Sequence, residues 1–155
     1  MPNFEYIDTL PNLSQDLISE IYSTTNSSNF WLNKESSVYS VYPGNEKIYE
    51  FVRSCFTEKH IASVQVITNT LGPHKDKGRS IVYNYIVDCG GEDIFTTFYD
   101  IDESGNYVEI ESHKIEPYRW HKLNVSTYHS VSTIPKNNKR ISLSVYLRDA
   151  DNPFL

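Results

Sequence analysis

"KRISLSVYLRD", residues 139–149, alternates without a break. Ile141, Leu143, Val145 and Leu147 fall on one side of an extended chain, and Arg140, Ser142, Ser144 and Tyr146 on the other. Successive side chains of a strand point to opposite faces. At a sheet surface the polar set would turn to water. This chain allows another arrangement, because segments upstream carry apolar helical stripes that can cover the apolar face. The polar face is then free to line an internal cavity. A roll of strands around a polar interior that holds an arginine suits an anionic ligand.

Two segments supply the helical stripes. In "SQDLISEIY" the residues Leu17, Ile18, Ile21 and Tyr22 share a face, with Ser14 placed as N-cap. In "NEKIYEFVRSCFTEK" the residues Ile48, Phe51, Val52, Cys55 and Phe56 repeat at helical spacing behind a capping Asn45. Cys55 lies on that stripe and reads as a packing residue. Between the two helices a short strand is expected around Ser37–Tyr42. From residue 61 the period changes to two. Apolar-polar alternation runs through "IASVQVITNT", "RSIVYNYIVD", "DIFTTFYDID", "YVEIESHKI", "HKLNVSTYHSVST" and the C-terminal segment, with turn signals between them. The expected class is α+β, mainly β. A helical part over about 1–60 is followed by a strand-rich core over about 61–148, all within one domain spanning 1–155.

Bulk properties narrow the function. The chain has 155 residues, a net charge of −6 and no long basic run. Dedicated nucleic-acid binding is therefore not expected. Two cysteines without motif spacing give no disulfide framework. The first residues show no basic-then-apolar leader, and no apolar run approaches spanning length. A cytoplasmic protein without membrane contact is the expectation.

The chemistry-bearing residues cluster around a turn. His74 and Asp76 stand two apart in "LGPHKDKGR", residues 71–79. On extended chain they project to the same side and can converge on one ion. A third ligand must come from another strand. His129 is the best placed of the remaining histidines, and Arg140 follows it after ten intervening residues. That spacing reads as a hairpin through "IPKNN" that returns Arg140 to the same pocket. Two imidazoles and one carboxylate, with the other positions open, form the facial set of non-haem Fe(II) oxygenases, and zinc also accepts such ligands.

In this order, "HKD" (74–76), His129 and "RIS" (140–142) resemble the 2-oxoglutarate/Fe(II)-dependent oxygenase superfamily. "GGEDIFTTF" (90–98) is similar to the Gly-Gly-x-Thr-x-Phe stretch of its prolyl-hydroxylase-like members, with extra residues before Thr96 and Thr97. The resemblance covers about residues 61 to 148 and implies a double-stranded β-helix, or jelly roll, buttressed by the N-terminal helices. It implies Fe(II) on His74, Asp76 and His129, the residues named as catalytic. It implies 2-oxoglutarate as cosubstrate, its far carboxylate on Arg140 with a hydrogen bond from Ser142, and O2 as co-reactant. Members often add a Tyr or Asn from the strand "RSIVYNYIV". Asn84 is favoured here as facing inward, and Tyr83 is the alternative if a bulge shifts the register. The implied reaction is hydroxylation of a substrate C–H bond, with a prolyl or other amino-acid side chain of a peptide or protein as candidate substrate.

Two other readings stand beside this one: a non-catalytic jelly-roll binding or structural protein, and a cupin-like metal enzyme that does not use 2-oxoglutarate. Neither gives the aligned Arg140 a task. The remaining polar residues read as peripheral. His60, His113 and His121 are expected at the surface, Lys75, Lys77 and Arg79 as solvated loop charges, and Trp31 and Trp120 as packing residues.

Overall fold

Both helices and the strand alternation are present in the computed structural model, which describes residues 2–27, 32–33 and 38–147. Helix α1 spans Gln15–Thr25, and the Ser14 side chain accepts from the Leu17 N–H at its start. Helix α2 spans Glu46–Cys55, where the Asn45 side chain accepts from the Ile48 N–H. Each cap satisfies an N–H group that has no partner within its helix. Asn45 Nδ2 also donates to Glu20 Oε2 at 2.6 Å, which ties α2 to α1.

The strands are β1 (Phe4–Tyr6), β2 (Leu32–Asn33), β3 (Tyr39–Pro43), β4 (His60–Ile67), β5 (Leu71–His74), β6 (Ile81–Asp88), β7 (Thr96–Ile101), β8 (Tyr107–His113), β9 (Trp120–Asn124), β10 (Tyr128–Val131) and β11 (Arg140–Leu147). They form two antiparallel sheets. The larger runs β1-β9-β6-β11-β4-β3-β2 and the smaller β5-β10-β7-β8. This is a mainly β, double-stranded β-helix architecture with two helices on the outside of the larger sheet.

The alternation of β11 decides which face is which. Ile141, Leu143 and Val145 join Ile18, Ile21, Ile48 and Val52 of the helices, together with Val64, Tyr85, Val87 and Trp120, in one buried apolar cluster. Trp120 Nε1 donates to the Pro11 carbonyl at 2.8 Å, so its polar atom is satisfied inside that packing. Cys55 is half-buried against the same cluster, and burial raises its thiol pKa. The opposite face of β11 carries Arg140 and Ser142 into a cavity between the sheets.

Three expectations need correction. The N-terminal third is not purely helical: β1 pairs with β9, and β2 and β3 extend the sheet beyond β4. The expected strand around Ser37–Tyr42 is β3, and Ser37 and Trp31 lie outside the described residues, as do residues 148–155. The run 121–133 is not one strand. Asn124 Oδ1 accepts from the Ser126 N–H and hydroxyl, and this side-chain turn separates β9 from β10. β10 belongs to the smaller sheet and β11 to the larger. His129 and Arg140 therefore do not share a hairpin. The chain crosses from one sheet to the other between them, and the two side chains line one cavity from different sheets.

Candidate active site

The H-x-D pair lies where β5 ends. β5 pairs with β10 so that His74 stands directly opposite His129. Their rings lie 4.3 Å apart, centroid to centroid. Asp76 Oδ1 is 3.5 Å from His74 Nε2 and 3.5 Å from His129 Nε2. One donor atom from each residue falls within 4.8 Å of the others, which is a set of positions that one cation can bridge.

Local backbone fixes both imidazoles in the same way. His74 Nδ1 contacts the Gly72 carbonyl at 2.7 Å, and His129 Nδ1 contacts the Thr127 carbonyl at 2.8 Å. A carbonyl only accepts, so Nδ1 carries the proton and Nε2 keeps its lone pair for a metal. Burial lowers the His74 pKa, and this outweighs the Gly72 contact that favours the protonated ring. Burial pushes the Asp76 carboxyl upward. The adjoining His129 ring and the Arg79 charge outweigh it, and the net pKa is below the ordinary value. Two neutral nitrogens and one carboxylate oxygen make a donor set that fits Fe(II) or zinc.

Arg79 is a correction to the sequence reading. Its side chain is only 20% exposed, and its Nε donates to Asp76 Oδ2 at 2.6 Å. Its guanidinium lies over the Tyr146 ring at 4.5 Å. Arg79 thus occupies one carboxylate oxygen of Asp76 and leaves the other facing the histidines. A salt bridge three residues along a loop leaves no periodic signal in a sequence.

The triad opens into a cavity of about 250 Å³. Arg140, Ser142, Asn84 and His121 line it together with His74, Asp76 and His129. Arg140 is 6% exposed, and its Nη1 has no hydrogen-bond partner among the described residues. Burial pushes its pKa down to about 10. Asn84 Oδ1 is likewise buried and unpartnered. The inward face of β6 is Val82, Asn84 and Ile86, as the alternation indicates. Tyr83 is placed on the other face. Its ring packs on Phe56 at 5.3 Å, so it is a packing residue of the helix side and does not reach the cavity. The bulge on β6 lies opposite Ile141 and Ser142, beyond Tyr83, and does not turn it inward.

His121 is the largest departure. It is 1% exposed and lines the cavity. It follows Trp120, which faces the helices, so both faces of β9 are buried and a polar residue there does not mark solvent. Only the inward alternation of Trp120 and His121 could have signalled it. His113 also differs from a solvated residue. It stacks on Phe4 at 4.4 Å and is half-buried. His60 sits at the start of β4, half-buried, with Nδ1 against the Glu58 carbonyl. Lys75 lies over the Tyr128 ring at 4.6 Å, outside the cavity.

No protein-family model matches the sequence, and no curated protein matches it. Solved structures do match the fold. A prolyl hydroxylase in complex with a hypoxia-inducible-factor oxygen-degradation-domain peptide, from Trichoplax adhaerens, is similar at a TM-score of 0.67 and 14% identity, over 97% of this chain and 85% of that one. The non-haem α-ketoglutarate-dependent carbocyclase SnoK of nogalamycin biosynthesis is similar at 0.63 and 10%, over 96% and 80%. The epimerase SnoN, in complex with Fe3+, α-ketoglutarate and a nogalamycin compound, is similar at 0.59 and 13%, over 94% and 79%. The chain thus has the double-stranded β-helix fold of the 2-oxoglutarate/Fe(II)-dependent oxygenases.

Proposed function

We propose that this chain is an Fe(II)- and 2-oxoglutarate-dependent oxygenase. Its reaction is hydroxylation of a C–H bond, with a prolyl or other amino-acid side chain of a peptide or protein as substrate. The observation that carries this reading is the convergence on one cavity of a His-Asp-His set and a buried arginine whose Nη1 has no partner among the described residues. A buried guanidinium without a counter-charge is costly, so a site that keeps one is built for an anion that arrives with the ligand. The similarity in fold to a prolyl hydroxylase bound to a peptide supports a polypeptide substrate.

Fe(II) held by His74, Asp76 and His129 would, with 2-oxoglutarate and O2, supply the oxidation, in which one oxygen atom goes to the oxo acid as it becomes succinate and CO2 and the other to the substrate as a hydroxyl. The chain's residues do the rest. His74 and His129 present Nε2 lone pairs, held in that tautomer by backbone carbonyls. Asp76 presents Oδ1 while Arg79 restrains Oδ2. Arg140 takes the far carboxylate of the cosubstrate through its planar fork, and Ser142 adds a hydrogen bond. Val82, Ile86 and Leu123 line the space between with apolar surface that excludes water. Hydrogen bonds of this kind orient the ligand side chains before substrate arrives.

The test is anaerobic addition of Fe(II) and 2-oxoglutarate to the folded protein. The expected result is a weak visible charge-transfer band, and succinate once air is admitted. His129→Ala removes both. No band and no succinate from folded protein would overturn the assignment. A metal-dependent activity that ignores 2-oxoglutarate would favour a cupin-like enzyme instead.

A further inference from the structure

We infer that strand β8 is a docking edge for an extended basic segment of another polypeptide, which adds to the smaller sheet as a further strand. The inference does not rest on the oxygenase reading, and the surface lies outside the cavity.

The two sheets end in four edge strands, β1 and β2 on the larger and β5 and β8 on the smaller. An edge presents backbone N–H and C=O groups that can pair with another chain, and proteins blunt it by keeping it short or by placing Pro or Lys on it. β1 has three residues and β2 two. β5 has four, and Pro73 removes a backbone donor from it. β8 has seven residues, Tyr107–His113, with neither Pro nor Lys. Tyr107 is 48% exposed, Val108 46% and Ile110 45%. Tyr107 and Val108 are successive and point to opposite faces, so this end of the strand is open on both faces as well as along its edge.

Charge selects the occupant. The β7–β8 hairpin, residues 96–113, carries Asp100, Asp102, Glu103, Glu109 and Glu111 and no Lys or Arg. Asp102 is used by the turn, where Oδ1 accepts from the Ser104 and Asn106 N–H groups. Glu111 lies beside His113. Asp100, Glu103 and Glu109 are exposed and take part in none of the ion pairs among the described residues. A second copy on this edge would bring glutamates against glutamates, and like charges across a strand pair are destabilising. A bulge at Ile110, which has no partner on β7, also turns the edge away from flat pairing with itself. A short basic segment meets opposite charge instead and can follow the twist.

An aromatic ring adds to the selection. Tyr107 packs edge-on against Tyr99 at 5.8 Å and Tyr128 at 5.3 Å, which hold its ring in place. Lys75 stands over the Tyr128 ring at 4.6 Å, and the exposed Tyr107 ring can take an incoming Lys or Arg in the same way. Tyr107 and Glu109 share one face of β8 and Val108 lies on the other. The segment that fits therefore alternates basic with apolar residues, main-chain bonds holding it and alternate side chains giving the selectivity.

The probe is a capped seven-residue peptide alternating Val and Lys, titrated into the 15N-labelled full chain. The amide signals of residues 107–111 are expected to move, and those of β1 and β5 to stay. The counterpart with Glu in place of Lys is expected not to bind. The Lys peptide methylated at every backbone nitrogen keeps its charge and loses its donors, and is expected to bind roughly tenfold more weakly or worse. The double variant Glu103→Lys, Glu109→Lys is expected to weaken the unmethylated Lys peptide by roughly tenfold. No binding of that peptide, equal binding of the Lys and Glu peptides, or equal binding with and without methylation would overturn the inference. Self-association of the chain that Ile110→Lys abolishes would give the edge to a second copy and overturn it as well. If the double variant does not fold, the three peptides on the wild type decide.

Discussion

The two faces of the larger sheet are made from the same strands and have opposite characters. On the outer face Ile141, Leu143, Val145, Tyr85 and Val87 meet the helices in an apolar cluster in which Trp120 Nε1 is paired with the Pro11 carbonyl. On the inner face Arg140, Ser144 and His121 are as deeply placed and Asn84 is half-buried, yet Arg140 Nη1, Asn84 Oδ1 and Ser144 Oγ have no partner among the described residues. Burial alone does not distinguish the faces; satisfaction does. The outer face holds the fold together, whereas the inner face keeps unpaired groups ready for a ligand, at a cost in stability.

That contrast can be broken by exchanging roles between faces. Leu143→Ala, on the outer face, is expected to cost about 2–5 kcal/mol, because a fully buried leucine leaves a cavity that the packed cluster cannot close. Denaturant unfolding would read the loss, while metal affinity of the folded fraction stays as in the wild type. Arg140→Met, on the inner face, is expected to do the reverse. It removes a buried charge that has no ion-pair partner among the described residues and should raise stability by about 1–3 kcal/mol while losing most of the affinity for 2-oxoglutarate. A fall in the unfolding midpoint of Arg140→Met would break the comparison.

The smallest expected effect sharpens it. His121 has a folded pKa near 3, below its ordinary value. As pH falls below about 6.5 the unfolded chain takes up a proton that the folded chain refuses, so stability is complete above that pH and declines beneath it. His121→Leu removes this contribution. The stability difference between wild type and variant is expected to be constant above pH 7 and to shift against the wild type by about 1 kcal/mol at pH 5.5. Unfolding curves at both pH values check it.

Much of this was legible in the chain. The caps Ser14 and Asn45, the outer stripe of β11, the inward direction of Asn84 and the meeting of His74, Asp76, His129 and Arg140 follow from local periodicity and residue chemistry. What escaped depends on distant pairing. Phe4–Tyr6 has no signature of its own and becomes a strand because β9 offers it an edge. His121 reads as surface because it follows Trp120 at a strand entry and stands too far from Arg140 for the expected hairpin, and only the burial of both faces of β9 places it inside. Asn124 gives a turn that splits one alternating run between two sheets, so His129 and Arg140 line the cavity from different sheets and not through the expected hairpin.

The position of β11 bears on how the protein is made. It is the last described strand in the chain, yet it lies between β6 and β4. Before residues 140–147 are synthesised, the larger sheet exists only as two unjoined pieces, β1-β9-β6 and β4-β3-β2. All three proposed iron ligands have by then been translated, with their scaffold still open and two strand edges bare. A nascent chain stalled at that stage exposes the apolar surfaces that β11 later joins, and in the cell this is the interval in which a chaperone would be needed.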